Sequence, residues 1–236
     1  MIAGLSKAIN QYLAPLLSLT SILLILFAFL APTVMLEGKV ALLTVGPSTS
    51  LTQPGSSGSI DGPSVFLGPL GSCTRRNLAS SINCTLPAIN PTYDLSVLPG
   101  SAPDLLSAPT ATTPAFIAVS IAFTFFFLLL FTLTAFRSKM GKAGAFFDKP
   151  VVQRSTAWIG LFGFMIGLTS FLVLRMWFGK SVEDFNKAIL KGGQSSPQLV
   201  ADLSNGFTMI YVAYAFYAIP LVSSLAKLHV TSTGKA

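Results

Sequence analysis

The sequence predicts an all-α membrane protein: a four-helix transmembrane bundle that carries a small, disulfide-stapled, partly β extracellular domain. The chain has 236 residues, of which 52% are hydrophobic and only 10% are charged, whereas a soluble domain is about a quarter charged. Four apolar runs approach the length of ~20 residues that a membrane-crossing helix needs. The largest segment between these runs, residues 36–113, is rich in Ser, Pro, Gly and Thr and holds both cysteines.

The chain begins with a short polar stretch, residues 1–11, which precedes the first predicted span, residues 12–35. Pro15 falls in the first turn, where a missing N–H is harmless, and Pro32 is expected to stop or kink the helix. A signal peptide with Lys7 as its basic region is the competing interpretation. The apolar run exceeds the ~7–15 residues of such a peptide, which favours a retained span.

The first long connection, residues 36–113, is predicted to consist of loops and two short strands. The first strand is expected at 39–46, where Val40, Thr44 and Val45 are β-branched, and the second at 64–70. The stretch 47–63 has the Ser/Gly/Pro composition of a flexible loop. Six prolines punctuate residues 87–114 and leave no helical period there. A partly β domain is the expected outcome.

The second and third predicted spans, residues 114–136 and 157–177, flank a polar connector, residues 137–156. Glycines in the third span are spaced so that another helix backbone can approach closely. The approaching helix could belong to the same bundle, or it could belong to a partner protein or a second copy of the chain. The sequence leaves both interpretations open. The glycines are Gly160, Gly163 and Gly167.

The second outer segment, residues 178–206, is predicted to contain a short amphipathic helix at 181–190, capped by Ser181. Because Pro197 after a serine resembles a first helical residue, the fourth helix is expected to start there, with its membrane part at 207–225. A short tail, residues 226–236, completes the chain.

The distribution of basic residues predicts the orientation. The short connector 137–156 carries five basic residues and a single acid, and short loops with this bias face the cytoplasm. Both termini are therefore expected to be cytoplasmic, and residues 36–113 and 178–206 extracellular. The five basic residues of the connector, which face the inner leaflet in this orientation, are Arg137, Lys139, Lys142, Lys149 and Arg154.

The predicted side of the membrane is oxidising, so Cys73 and Cys84 are expected to form a disulfide. The bond would close a loop of ten intervening residues and act as a structural staple, because redox catalysis favours a closely spaced Cys-x-x-Cys pair. Asn83 starts an Asn-Cys-Thr sequence, a possible glycosylation site on this side.

The composition disfavours several functions. The net charge of +7 sits mainly at the ends of apolar runs, as topology signals do, so no nucleic-acid partner is expected. One histidine and two cysteines are too few for a Cys/His zinc site, and no cofactor is predicted. Catalysis would need paired acids, a His–acid motif or a Ser/His arrangement. His229 has no acid beside it, so no catalytic residue and no enzyme activity are predicted.

Four spans, a large first outer loop, and Gly68, Gly71 and Cys73 followed by Cys84 resemble the fungal Sur-seven/PalI family of claudin-like four-span membrane proteins. The family hallmark is a Gly-Leu-Trp-type stretch before the first cysteine. The tryptophan is absent here, and Leu70 stands near its place. The resemblance implies a claudin-like fold, with an antiparallel outer sheet on the bundle. It also implies a plasma-membrane organiser or accessory subunit of the eisosome, cell-wall or pH-sensing type.

The expected function is therefore non-enzymatic and depends on lateral helix packing and ectodomain contacts. The expected partners are the lipid bilayer and other membrane proteins or further copies of the chain. The basic connector either biases the lipid environment, at about 1 kcal/mol per residue, or only sets the orientation. A claudin-like channel or small transporter subunit is the alternative, although ionisable residues, which usually mark transport paths, are missing from the centres of the spans.

Overall fold

The computed structural model describes residues 9–52 and 60–233. Within these residues four helices are long and apolar enough to cross a membrane, which confirms the prediction of a multi-pass membrane protein. Lys7 and Lys235 lie outside the described residues. The four helices are α1 (Ala14–Leu30), α2 (Thr112–Ala135), α3 (Pro150–Gly192) and α4 (Asn205–Thr233).

A small antiparallel sheet accompanies the helices, as predicted. Its five strands are arranged in the order β4-β3-β2-β1-β5, and β5 comes from the segment between α3 and α4. The predicted strands at 39–46 and 64–70 are present in shorter form. The strands are β1 (Leu43–Pro47), β2 (Ser64–Leu67), β3 (Ser72–Arg75), β4 (Asn83–Cys84) and β5 (Leu199–Leu203).

Short helical turns complete the described chain. A π-helical turn, Ile9–Leu13, leads into α1, and α1 ends two residues before Pro32, as the sequence predicted. The connector after α2 contains three short turns, and α3 already begins at Pro150, within the predicted connector. The turns are Arg137–Lys139, Gly141–Ala143 and Gly144–Phe147, and a further 3₁₀ turn, Gly193–Ser195, follows α3.

The chain divides into two compact units. The helical unit contains α1 up to Leu26, together with Phe116–Thr169 and α4 from Ile210 onward. The sheet unit contains the five strands and the helix ends next to them, in Phe27–Ala115 and Ser170–Met209.

In the helical unit, α2, α3 and α4 meet around Gly160. A Cβ added at Gly160 would lie 2.5 Å from the Phe127 ring, and this ring contacts Tyr217 edge-on with centroids 5.3 Å apart. The Tyr217 hydroxyl donates a hydrogen bond of 3.0 Å to the Gly160 carbonyl. A small residue thus lets three helices approach closely and exposes a backbone acceptor to the tyrosine.

The predicted break between the third span and a separate helix at 181–190 is wrong, because α3 runs without interruption to Gly192. Ser181 therefore lies inside the helix. Phe178, Phe185 and Ile189 form a buried stripe across the expected break. Gly179 costs about 1 kcal/mol in a helix interior, and burial of this stripe offsets that cost.

The fourth helix starts at Asn205, so the prediction of a start at Pro197 is also wrong. Residues 199–203 pair with β1 instead. Leu199 and Ala201 are buried while their neighbours are more exposed, the alternation of a half-buried strand. Helix α4 continues through Pro220 to Thr233, beyond the membrane part that the sequence predicted at 207–225.

Strand β5 is attached to α3 by one side chain. The Asn186 side-chain amide donates to the Ala201 carbonyl at 2.8 Å and accepts from the Ala201 N–H at 2.9 Å. Ala201 is fully buried, so these two backbone groups depend on Asn186. Sequence reasoning missed this residue.

Replacing Asn186 with alanine should destabilise the sheet unit. Ala201 loses both hydrogen-bond partners, and each buried backbone group left unpaired costs about 1–3 kcal/mol. Thermal unfolding of the purified protein in detergent micelles should show a clearly lower midpoint.

The control is Lys187→Ala, one position further along the helix. This change breaks only an exposed ion pair with Glu183, and such pairs contribute little. An equal loss of stability in both variants would contradict the role assigned to Asn186.

Candidate interaction surface on the disulfide-stapled sheet

The disulfide between Cys73 and Cys84 is formed, which confirms the prediction. The two cysteines lie directly opposite each other on β3 and β4, and Cys73 is fully buried. Strand β4 has only two residues, too few for a stable edge strand by hydrogen bonding alone. The crosslink holds it in place and stabilises the fold by about 3 kcal/mol in the chain-entropy model.

The turn between β2 and β3, residues 68–71, lies on the end of α1. A Cβ added at Gly68 would lie 2.2 Å from the Ala31 carbonyl oxygen and 2.5 Å from Pro32 Cδ. A Cβ at Gly71 would lie 2.4 Å from Thr85 Oγ1. Only glycine permits these approaches, so the glycines of the sequence motif are packing residues.

A second segment, residues 85–94, wraps around this turn. The Ala88 N–H donates to the Leu70 carbonyl at 2.9 Å, and the Tyr93 hydroxyl donates to the Gly68 carbonyl at 2.8 Å. These bonds fix the segment 85–94 to the turn that lies on α1.

Tyr93 is a positioning residue that the sequence analysis did not single out. Burial raises the pKa of the Tyr93 hydroxyl, so the group remains a protonated donor to the Gly68 carbonyl. The available signal was that Tyr93 is the one aromatic residue between Phe66 and Phe116.

Several large apolar side chains of the sheet unit are exposed. Leu86 is 89% exposed and Ile89 is 56% exposed, and with Pro87 and Ala88, which are also exposed, they form a continuous apolar run. We call Leu86–Ile89 the 86–89 segment. A run of consecutive exposed apolar residues is unusual for a water-facing loop and indicates a contact surface.

Leu78 is the counterpart at the opposite end of the sheet. It is 58% exposed and lies in the connection between β3 and β4, where its N–H donates to Asp61 Oδ1 at 2.7 Å. Asp61 precedes β2, whereas the 68–71 turn follows β2. Leu78 and Leu86 therefore mark the two ends of one sheet.

A groove of about 400 Å³ lies near Asp61. Four of the residues that line it are prolines, and serines, Asp61 and Gln198 are among the others. Such a lining is stiff because proline fixes the backbone φ angle. The prolines are Pro47, Pro63, Pro99 and Pro197.

Asn83 lies exposed on β4, and its carbonyl accepts a hydrogen bond from the Thr74 hydroxyl at 3.4 Å. The threonine of the predicted glycosylation sequence, Thr85, accepts from the Ser72 N–H at 3.0 Å. Glycosylation of Asn83 stays a prediction.

The five basic residues of the connector lie in the helical unit. Arg137 forms an ion pair with Asp148 at 3.1 Å, Lys139 lies over the Tyr12 ring at 5.7 Å, and Lys149 lies over the Phe146 ring at 5.5 Å. Lys142 and Arg154 are exposed. Contact of these side chains with the inner leaflet stays a prediction.

The remaining glycines of the third span also lie against the same chain. A Cβ at Gly163 would lie 3.1 Å from Phe123 Cβ, and a Cβ at Gly167 would lie 2.6 Å from Ser120 Oγ. Both neighbours belong to α2. The glycine face is therefore occupied by internal packing in the helical unit.

Comparison with known proteins found no family model that matches the chain and no matching curated protein.

Replacing Gly68 with alanine should disrupt the sheet unit, because the new methyl group would overlap the Ala31 carbonyl and the Pro32 ring. We expect a lower unfolding midpoint and faster protease cleavage of the sheet.

Gly100→Ala is the matched control, since a Cβ at Gly100 meets no atom within 4 Å. If the two variants behave alike, the turn does not depend on close approach to α1.

Proposed function

We propose that this protein is a non-enzymatic organiser or accessory subunit of a membrane complex in the plasma membrane. It would act by presenting the disulfide-stapled sheet outside the cell and by lateral contacts of its helices. The observation that carries the proposal is a rigidly held sheet with large apolar side chains left exposed at both of its ends. Binding surfaces combine these two properties.

The rigidity of the sheet supports a binding role. The disulfide holds one edge strand, the Asn186 side chain holds the other, and the 68–71 turn is fixed against the end of α1. A preordered surface loses little conformational entropy when it meets a partner.

The lateral surface would come from aromatic side chains of the spans, because the glycines of α3 are already used within the chain. Phe125 and Phe126 of α2 are 49% and 55% exposed, and Trp158 and Phe162 of α3 are 54% and 52% exposed. In a membrane such side chains face lipid or a neighbouring helix. Neighbouring membrane proteins or further copies of the chain are the partners this surface would take.

The proposed orientation rests on charge. The connector 137–156 carries five basic residues and would face the cytoplasm together with both termini. The resemblance of the cysteine motif to the Sur-seven/PalI family supports a role at the fungal cell cortex, in eisosomes, wall synthesis or pH sensing.

Single cysteines test the orientation. Leu78→Cys and Phe146→Cys place exposed thiols in the sheet and in the connector, since the native residues are 58% and 54% exposed. In intact cells a membrane-impermeant maleimide should label position 78 at once and position 146 only after permeabilisation.

The wild-type chain is the blank, because its two cysteines form the disulfide. Labelling of position 146 in intact cells, with position 78 protected, would place the sheet in the cytosol and overturn the proposal.

Native extraction into polymer-bounded lipid discs tests the assembly. The wild-type protein should migrate as a complex larger than one chain. Phe125→Ala combined with Phe126→Ala should reduce its size, because the α2 part of the lateral aromatic surface is removed. Phe146→Ala, an equally exposed phenylalanine outside the spans, is the control.

A single-chain species in native discs, with unchanged distribution of cell-surface proteins after deletion of the gene, would contradict an organiser role. Ion flux through liposomes that hold only the purified protein would favour a channel instead.

A further inference from the structure

We infer that the 86–89 segment is a second membrane contact, in which Leu86 and Ile89 enter the leaflet surface next to the sheet. Lipid of the bilayer therefore covers this exposed apolar run. The inference needs only that α1 crosses a membrane, so it holds whichever side the sheet occupies. It goes beyond the proposed function because it assigns one exposed end of the sheet to lipid and leaves the end at Leu78 for protein partners.

The end of α1 fixes the depth of the surrounding residues. The apolar helical stretch Gln11–Leu30 has 20 residues, and at 1.5 Å per residue it is about 30 Å long, the thickness of the hydrocarbon core. Leu30 therefore lies at the boundary of the hydrocarbon. Ala31 and Pro32, which follow it directly, lie in the interfacial layer.

The 68–71 turn is held at this same depth. Gly68 is so close to Ala31 and Pro32 that a Cβ would overlap both. Gly71 is near Thr33, with 3.0 Å from a Cβ position to Thr33 Cγ2. The turn is thus in contact with the three residues that leave the hydrocarbon.

The 86–89 segment is attached to that turn. The Ala88 N–H donates to the Leu70 carbonyl, and the hydroxyl of Thr85, the residue before the segment, donates to the Ser72 carbonyl at 3.2 Å. The bond from Ala88 and the bonds between Thr85 and Ser72 therefore tie the segment to the turn and to the first residue of β3.

The chemistry of the segment fits the interface. Its sequence is Leu-Pro-Ala-Ile, without a charge, and the two large side chains are among the more exposed of the sheet unit. Apolar side chains at this depth enter the boundary between headgroups and acyl chains, as those of interfacial anchors do. Proline lacks an N–H that would need a partner, and the Ala88 N–H already has one.

Spin labels on single cysteines test the contact in full-length protein reconstituted into phosphatidylcholine nanodiscs. Leu86→Cys is the test position and Leu78→Cys is the control, an exposed leucine at the far end of the same sheet. At position 86 the ratio of collisions with oxygen, which concentrates in lipid, to collisions with a water-soluble nickel chelate should be several-fold higher than at position 78.

Ile89→Cys provides a second position if Leu86→Cys does not fold, and wild-type unfolding behaviour identifies the folded variants. Equal ratios at the test position and at position 78 would place the segment in water and overturn the inference. A label at position 86 that is immobile and shielded from both reagents would indicate a protein occupant, such as a second copy of the chain, and would overturn it as well.

Discussion

The close approach of the 68–71 turn to the end of α1 is the contact on which the sheet unit depends. Gly68 meets the backbone of Ala31 and the ring of Pro32 at distances that leave no room for a side chain. This turn joins β2 to β3, so its contact with the residues after α1 fixes where both strands begin or end relative to that helix end. Tyr93 then secures the turn from the other side through the Gly68 carbonyl. The glycine spacing of the sequence motif thus has a steric cause, independent of any ligand.

The two edges of the sheet are protected by different means. Exposed edge strands offer unpaired backbone groups to other chains. At one edge β4 is short and is held by the disulfide. At the other, Asn186 supplies both a donor and an acceptor to Ala201, as a further strand would. Addition of a further strand at β5 would therefore have to displace the Asn186 amide.

Features set by local composition were predictable, and features set by distant backbone contacts were not. The spans follow from hydropathy, and the disulfide follows from the only two cysteines of the chain. The end of α3 was placed too early because Gly179 and Ser181 give a local stop signal, which the buried stripe of Phe178, Phe185 and Ile189 overrides. Strand β5 was missed because Ser196 and Pro197 imitate a helix start.

Asn186 and Tyr93 were missed for the same reason. Their partners are backbone groups 15 and 25 residues away, and a backbone group carries no sequence signal. The residues of β5 carry no clear strand signal, because the apolar Val200 separates Leu199 from Ala201 and breaks the alternation. The pairing of β5 with β1 is a long-range contact that only the structure shows.

The hydrophobic core of the sheet unit explains why a segment so rich in small residues folds at all. The described part of residues 36–113 fully buries aliphatic side chains, such as Leu42, Leu43 and Leu67, but no aromatic ring. Phe185 and Ile189, from the part of α3 beyond the apolar span, and Phe207, from the start of α4, are buried in the same unit. Phe178 and Phe207 contact each other with ring centroids 6.4 Å apart. The ends of α3 and α4 therefore supply the large aromatic side chains of the core of the sheet unit, and the strands add its aliphatic side chains.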